Sequence, residues 1–548
     1  MRMKKSFTIL IIGFLVMSIF TSFISSTGGS KTLYVQGPWA TFVYENIQDA
    51  IDNASDGDII MVGPGTYYEN LIIDKTITLE GTGATSNMTI IDGGKNGNVI
   101  EVTADWVNIS GFSIQNGGRK TDGVIYNYGI LLLSNYANIS NNVIENNIGT
   151  GIHFGFSNSN TISNNVIINN WNGINLGSSN SNTISSNSID NSSLGIIIHN
   201  SSNNKIIGNT ITNQGRGIEL YDYNSYNEIK NNSINNNGFG IQAYGFNSNN
   251  DISNNIISHN NQNGIKITEM YGYSNNYTIS GNTITDNGDW GIYLKFSTNN
   301  IISGNYIENN SLGGTYNNGI KLLNSSNYNT IFGNTFIKDW IELDDSDNNI
   351  FYNNNFISQH IQSYCWNCEN TAWYNPKLGK GNYWNNYDGL DENDDGIGDT
   401  PHIVSSGDIQ DNFPLMNPYG ETFDIPSSNQ DFKATVHANG INLTWDPPQD
   451  DGGIDIDGYE IYKGSDSGKL TLVTTVENNF YLDTDVTDGK TYYYQVTALN
   501  DVGVGQKSPE ISAKFVDNEK NKDTPGFEIA LLIFGLVIIF IYKKRNHD

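Results

Sequence analysis

The sequence predicts an all-β chain: a right-handed parallel β-helix, or solenoid, as the main body, followed by a β-sandwich and a C-terminal transmembrane segment. Three observations predict it. Gly-Ile recurs at Gly129, Gly151, Gly173, Gly195, Gly217, Gly240, Gly264, Gly291 and Gly319, at intervals of 22 to 28 residues. Between these runs a second unit, which reads Thr161-Ile162-Ser163, Thr183-Ile184-Ser185 and Thr278-Ile279-Ser280 at three of its occurrences and is followed within two residues by Asn. The pattern then breaks at Pro426-Ser427-Ser428, beyond which longer alternating stretches and finally an apolar run appear.

Each repeat holds stretches such as Gly217-Ile218-Glu219-Leu220, too short and too β-branched for helices, with Asn, Gly and Ser at the turns. One repeat is therefore one coil of several strands. Coiling stacks every strand on the coil beneath it and leaves only two ends exposed, where a flat sheet would leave long edges. About eleven coils from Asn108 to Phe356, with strands ~4.8 Å apart, give a rod on the order of 50 Å long. Asn142, Asn165, Asn187, Asn209, Asn232, Asn255, Asn282, Asn305 and Asn334 recur once per coil, and stacked amides can hydrogen-bond along the axis. Their role is structural. Ile47, Ala50, Ile51 and Ala54 fall at helical spacing within Glu45 to Ser55, which predicts a short amphipathic helix capping the first coil.

The segment NIQDAIDNASDGDIIMVGPGTYYENLIIDKTITLEG, Asn46 to Gly81, with the repeats after it, resembles the parallel β-helix repeat proteins of archaeal surfaces. Within them it is similar to the NosD-like branch and to domains described as carbohydrate-binding or sugar-hydrolysing. The resemblance spans roughly residues 31–420 and implies the fold rather than one function. A NosD-like role would imply copper handling, and copper favours His, Met and Cys. Outside the signal only Met61, Met88, Met270 and Met416 remain, and the seven His are scattered, so the copper reading is the weaker alternative.

Arg2, Lys4 and Lys5, an apolar run from Phe7 to Phe20, and small residues after it predict a secretory signal over 1–27, with an uncleaved anchor as the alternative. Near the other end, Pro525-Gly526-Phe527 opens an apolar run from Ile529 to Tyr542 that stops at Lys543, Lys544 and Arg545. Residues 525–545 resemble the PGF-CTERM sorting signal of archaeal surface proteins, which implies cleavage and lipid attachment; a plain membrane anchor is the other reading. Both place the body on the extracellular surface. Twenty-eight Lys and Arg against 57 Asp and Glu give a net charge of −29, which repels nucleic acid and excludes it as a partner. Asn53, Asn87, Asn191 and Asn442 open N-glycosylation triplets.

After the last coil, GNYWNNYDGLDENDDGIGDTP (Gly381 to Pro401) alternates Asp391, Asn393 and Asp395, turns at Gly396, and adds the Ile397 carbonyl and Asp399. That is the first half of a calcium loop. His402 stands where the usual bidentate Glu would be, so the site is EF-hand-like only in part; an acidic turn is the alternative. The family resemblance implies a structural role for Ca2+ here. Cys365 and Cys368 read as a local disulfide outside the cell, since neither a thioredoxin-like setting nor two further zinc ligands accompany them. From 429 to 516 the chain resembles a fibronectin type III domain, with Trp445 in its core and Val486, Gly489 and Tyr492 approaching a tyrosine corner.

If Ile130, Ile152 and Ile174 point inward, the residue after each points outward, giving the stripe Leu131, His153, Asn175, Ile197, Glu219, Gln242, Lys266, Tyr293, Lys321 and Glu342. A second outward row holds His199, Tyr221, Tyr244 and Lys295. Aromatic faces beside neutral amides suit sugar rings, so His153, His199, Tyr221, Tyr244 and Tyr293 are the glycan-face candidates, against a merely solvated face. The expected partner is a polysaccharide or glycoprotein of an envelope, bound without catalysis. A polysaccharide lyase or glycoside hydrolase is the alternative, with Glu219, Asp222 and His199 as its candidate residues. No clustered triad of acids is evident, nor a run of Arg or Lys to hold an acidic polymer.

Overall fold

The computed structural model describes residues 30–36, 43–83, 89–118, 127–269, 275–311, 317–357, 363–404, 409–420, 425–452, 456–500 and 503–516. The predicted signal at 1–27 and tail at 525–545 lie outside them. Among the described residues no helix is long and apolar enough to cross a membrane.

Each period of the repeat folds as three strands. In one coil they are Thr161–Ser163, Val166–Ile168 and Asn172–Gly177, and the next coil opens with Thr183–Ser185. Within the solenoid every strand pairs in parallel with its counterpart one coil away, so the strands collect into a first, second and third sheet of 15, 14 and 13 strands. The short strands end where the backbone turns sharply. Asn141, Asn164, Asn231 and Asn254 adopt φ of 55 to 58° at the corner between the first and second sheets, and Gly208, Gly281 and Gly304 occupy the same place. Asn and Gly tolerate this left-handed region best, which is why the corners are built from them.

The inward positions form columns of Ile. Ile139, Ile162, Ile184 and Ile206 line one sheet and Ile152, Ile174, Ile196 and Ile218 another, all fully buried. Each contributes about 1.5–3 kcal/mol through burial. The Gly before each Ile of the third sheet is required by close approach: a Cβ on Gly217 would fall 2.6 Å from the carbonyl oxygen of Gly240 and from Ile234 Cγ2.

Polar groups inside the corners pair along the axis. Asn187 donates both its backbone N–H and its Nδ2 to Asn209 Oδ1, each at 3.0 Å, and Nδ2 also donates to the Ile162 carbonyl at 2.9 Å. The same bonds repeat from Asn142 to Asn382. Two more ladders run at the other corners, one through Asn160, Asn182, Asn204 and Asn227 and one through Asn237, Asn260, Asn287 and Asn310. The bonds to the next amide oxygen all run toward the C-terminal end, so the last rung needs an acceptor. Asp411 supplies it for Asn382, and Asp339 for Asn310.

Asp411 is buried, and burial pushes its carboxyl up to about 6 against the pull of its hydrogen bonds with Trp384, Asn382 and Phe413. His402, facing it across a short antiparallel pair, is pushed by burial down to about 4. The raised Asp411 stabilises the fold below about pH 4 and loses that contribution as pH rises through about 6; the depressed His402 acts oppositely, its contribution vanishing as pH falls. The two offset each other in one window. Asp411→Asn is expected to lose stability, relative to the parent, on going from pH 7 to pH 4, read by thermal unfolding across pH. A pH-independent difference would contradict the assignment.

The ends are closed by distinct elements. Helix α1, Ile47–Asn53, buries Ile47, Ala50 and Ile51 and is shorter than its apolar spacing predicts. The Glu69 carboxylate accepts its first N–H groups, from Ile47 at 2.8 Å and Gln48 at 2.9 Å. At the far end Trp373 and Trp384 stack on Phe351 and Phe356 at 4.3 and 4.2 Å. The sandwich that follows buries Trp445, Ile461, Tyr494 and Val496, and Tyr492 Oη accepts the Thr487 N–H at 3.0 Å, which is the tyrosine corner.

Candidate functional site

The third sheet is the broad face of the rod. Its strands reach six residues, as in Leu194–His199 and Arg216–Tyr221, where those of the first sheet are mostly three. Alternation turns Ile196 and Ile198 inward and Ile197 and His199 outward. The register lines up His153, Asn175, Ile197, Glu219, Gln242, Lys266, Tyr293, Lys321 and Glu342 in one outward row. A second row runs through His199, Tyr221, Tyr244, Thr268 and Lys295.

The rings of these rows stack from coil to coil. His199 and Tyr221 lie 5.0 Å apart and Tyr221 and Tyr244 4.8 Å apart, and beside them, at the corner, Tyr223 stacks on Phe246 at 5.1 Å with 61 % of its surface exposed. Further along, His153 stacks on Tyr128 at 4.3 Å, and burial holds its pKa below the usual imidazole value, so the ring is neutral. Trp290 and Trp340 face each other at 6.5 Å. Rings stacked at this spacing cover one another's faces within the row and turn their edges outward as an apolar strip beside the amides.

Unpaired polar atoms lie along the same sheet. His153 Nδ1, Asn172 Oδ1, Asn175 Oδ1, Gln242 Oε1 and Thr268 Oγ1 are all shielded from solvent and have no hydrogen-bond partner among the described residues. Buried polar groups are nearly always paired in native proteins, and this chain satisfies its corner asparagines rung by rung. These five atoms lie just beneath the outward face of the third sheet, while others are scattered through both domains.

The residues weighed for catalysis are placed otherwise. Glu219 is only 3 % exposed, and Arg216 pairs with it at 2.9 Å. Burial, followed by a hydrogen bond to Glu219, holds the Tyr244 hydroxyl well above the usual tyrosine range. Glu219 thus anchors Arg216 and Tyr244 from beneath. Asp222 sits at the corner with φ 47°, its carboxylate against Gly245 of the next coil.

At the end of the rod, Asp391 Oδ2 accepts the Gly396 N–H at 2.8 Å, Asn393 Oδ1 the Asp395 N–H at 3.0 Å, Asp395 Oδ1 the Ile397 N–H at 2.9 Å and Asp399 Oδ2 the Glu392 N–H at 2.6 Å. The loop winds around its own carboxylates. Among the described residues no three His, Cys, Asp or Glu side chains converge to hold a metal ion. Cys365 and Cys368 are joined in a disulfide. Sequence reasoning missed the burial of Glu219, whose signal was Arg216 three residues before it.

Comparison with known proteins bears on both domains. A family model for fibronectin type III domains matches residues 425–514. A cell surface glycoprotein of Methanothermus fervidus is 32% identical over 125 residues, covering 19% of this chain and 20% of that protein. An amylopullulanase of Thermoanaerobacter thermohydrosulfuricus is 40% identical over 68 residues, covering 12% of this chain and 4% of that protein. The chain spans no more than a fifth of either relative. Among solved structures, the A-module of a mannuronan C-5 epimerase from Azotobacter vinelandii shares 15% identity over 61% of this chain and 92% of its own, with a TM-score of 0.39. A family model described as periplasmic copper-binding protein (NosD) matches residues 51–269 and 240–389, more than half of the sequence, and the chain belongs to the NosD family of parallel β-helix proteins.

Proposed function

We propose that the protein is an extracellular glycan-binding adhesin, anchored to the membrane through its C-terminal segment, whose third-sheet face holds a polysaccharide or glycoprotein glycan without cleaving it. The observation that carries this reading is the coincidence, on one outward face, of coil-to-coil stacked rings with unpaired polar atoms. Rings take the apolar faces of sugars and amides take their hydroxyls. The signal-like start, the basic-ended apolar run, and the limited likeness to a cell surface glycoprotein and to amylopullulanases support an exterior, carbohydrate-related role. Retention of the purified full chain on immobilised polysaccharides, with chromatography of the eluate, tests it. Bound and intact polymer is the expected result. Released oligosaccharides would favour a lyase or glycosidase instead, a reading disfavoured by the pairing of Glu219 with Arg216.

Among the described residues, the copper binding in the family's description finds no matching donor set. Copper sites converge His, Met and Cys. Here the two Cys bond each other, and His153, His199 and His402 stack separately on Tyr128, Tyr221 and Trp384.

For the loop of Asp391, Asn393, Asp395, Ile397 and Asp399 we propose a structural Ca2+. The all-oxygen donor set, the spacing of its first half and the turn at Gly396 support it. Millimolar calcium is expected to raise the thermal midpoint and Asp391→Ala to remove the rise. No shift with calcium would leave the loop as an acidic turn.

A further inference from the structure

We infer that Lys266, flanked by Lys295 and the rings of Phe239 and Tyr293, forms a subsite for a carboxylate-bearing sugar unit within an otherwise neutral glycan; this rests on the glycan-binding reading above. Lys266 Nζ lies 5.2 Å from the Phe239 ring centroid and 5.3 Å from that of Tyr293. Two rings hold the ammonium in place without neutralising it. Lys321 follows two coils on in the same row, and Lys295 stands beside them in the second row. Lys266, Lys295 and Lys321, separated by 29 and 26 positions in sequence, thus stand on three successive coils.

The charges on this patch do not cancel. Lys321 is paired with Glu342 at 2.8 Å, and Asp289 accepts a hydrogen bond from Asn263 at 3.0 Å. Lys266 and Lys295 have no carboxylate within ion-pair distance among the described residues, where Arg216, Lys230, Lys321, Lys338 and Lys463 all do. In a chain of net charge −29, a cation held between rings with no ion-pair partner among the described residues stands out, with the Asp289 and Glu342 carboxylates acting on the neighbouring Tyr293. Gln242, next to Lys266 in the row, and Thr268, two residues beyond it, carry two of the unpaired polar atoms. A cation, flat apolar faces and hydroxyl-reading oxygens together describe a sugar acid. The acidic remainder of the surface sets a limit, because a polymer charged at every unit meets it within the ~8 Å screening length. The fitting ligand carries its carboxylates sparsely.

Affinity electrophoresis of the full chain in gels containing glucuronoxylan, or the same polymer with its carboxyls reduced to alcohols, tests this. The native chain is expected to be retarded roughly tenfold more strongly by the acidic polymer, the scale of one charge-assisted contact. Lys266→Gln should erase that preference while keeping retardation by the reduced polymer, and Lys266→Arg should keep the preference. Equal retardation of the native chain by both polymers, or a preference that survives Lys266→Gln, would overturn the acidic subsite and leave the broader glycan reading intact. Retardation by neither polymer overturns the subsite, and failure on neutral polysaccharides as well would remove the glycan reading with it.

Discussion

Replacing Tyr221 with Ala and Tyr223 with Asn in one variant is expected to weaken polysaccharide retention by roughly 10- to 100-fold, at about 1 kcal/mol or more for each ring removed from a sugar face. The fold should survive. Tyr221 and Tyr223 are 39 % and 61 % exposed, so their removal opens no cavity, and Asn suits the left-handed backbone of position 223, where φ is 52°. Frontal affinity chromatography gives the retention and thermal unfolding confirms the fold. If retention is unchanged in a folded variant, glycans bind elsewhere and the stacked rings of the third sheet serve only to cover the rod.

The largest stability effect is expected for Asn209→Leu. Leucine is close in volume but offers no polar atom. Its substitution strands the Asn187 N–H, which Asn209 Oδ1 accepts, and removes one hydrogen bond each from Asn187 Nδ2, the Ile184 carbonyl and Asn232 Oδ1, although Asn187 Nδ2 keeps the Ile162 carbonyl and Asn232 Oδ1 keeps the backbone N–H of position 209. A stranded group costs about 1–3 kcal/mol and each further lost hydrogen bond about 1 kcal/mol, so a loss of roughly 3–6 kcal/mol follows. Denaturant unfolding measures it. Because each coil contacts only its neighbours, the break should also split one cooperative transition into two. Asn209→Asp, which can still accept but not donate, should fall between the two. A loss below about 1 kcal/mol for Asn209→Leu would show that the ladder is dispensable.

The coil period was legible because each coil must repeat what it stacks upon. Gly217 faces Gly240, and Ile218 faces Ile241, so the spacing of Gly-Ile in sequence is the register of the third sheet. The same logic exposed the ladder at Asn142 and its successors. It did not expose the ladders through Asn160 and Asn237, because Tyr277 interrupts the Asn pattern in the first and Ser192, Gln214 and Asp339 interrupt it in the second. Charge was less legible still. The repeats show no run of basic residues, yet the third sheet gathers Lys266, Lys295 and Lys321, since coiling makes neighbours of residues that a linear scan separates. Glu219 misled as an outward carboxylate because strand alternation gives direction and not depth, and Arg216 and Tyr244 cover it.

The one-way donation of the asparagine ladders makes the rod a ruler with whole-number marks. A coil inserted anywhere between Asn142 and Asn334 accepts from the coil before it and donates to the coil after it, so it joins without disturbing Asp411 or either closing end. Gain or loss of repeats would therefore change reach in steps of ~4.8 Å, and the outward rows of the third sheet would lengthen or shorten with it. A lineage could set the length of its rod by counting coils, with the chemistry of every rung left as it was.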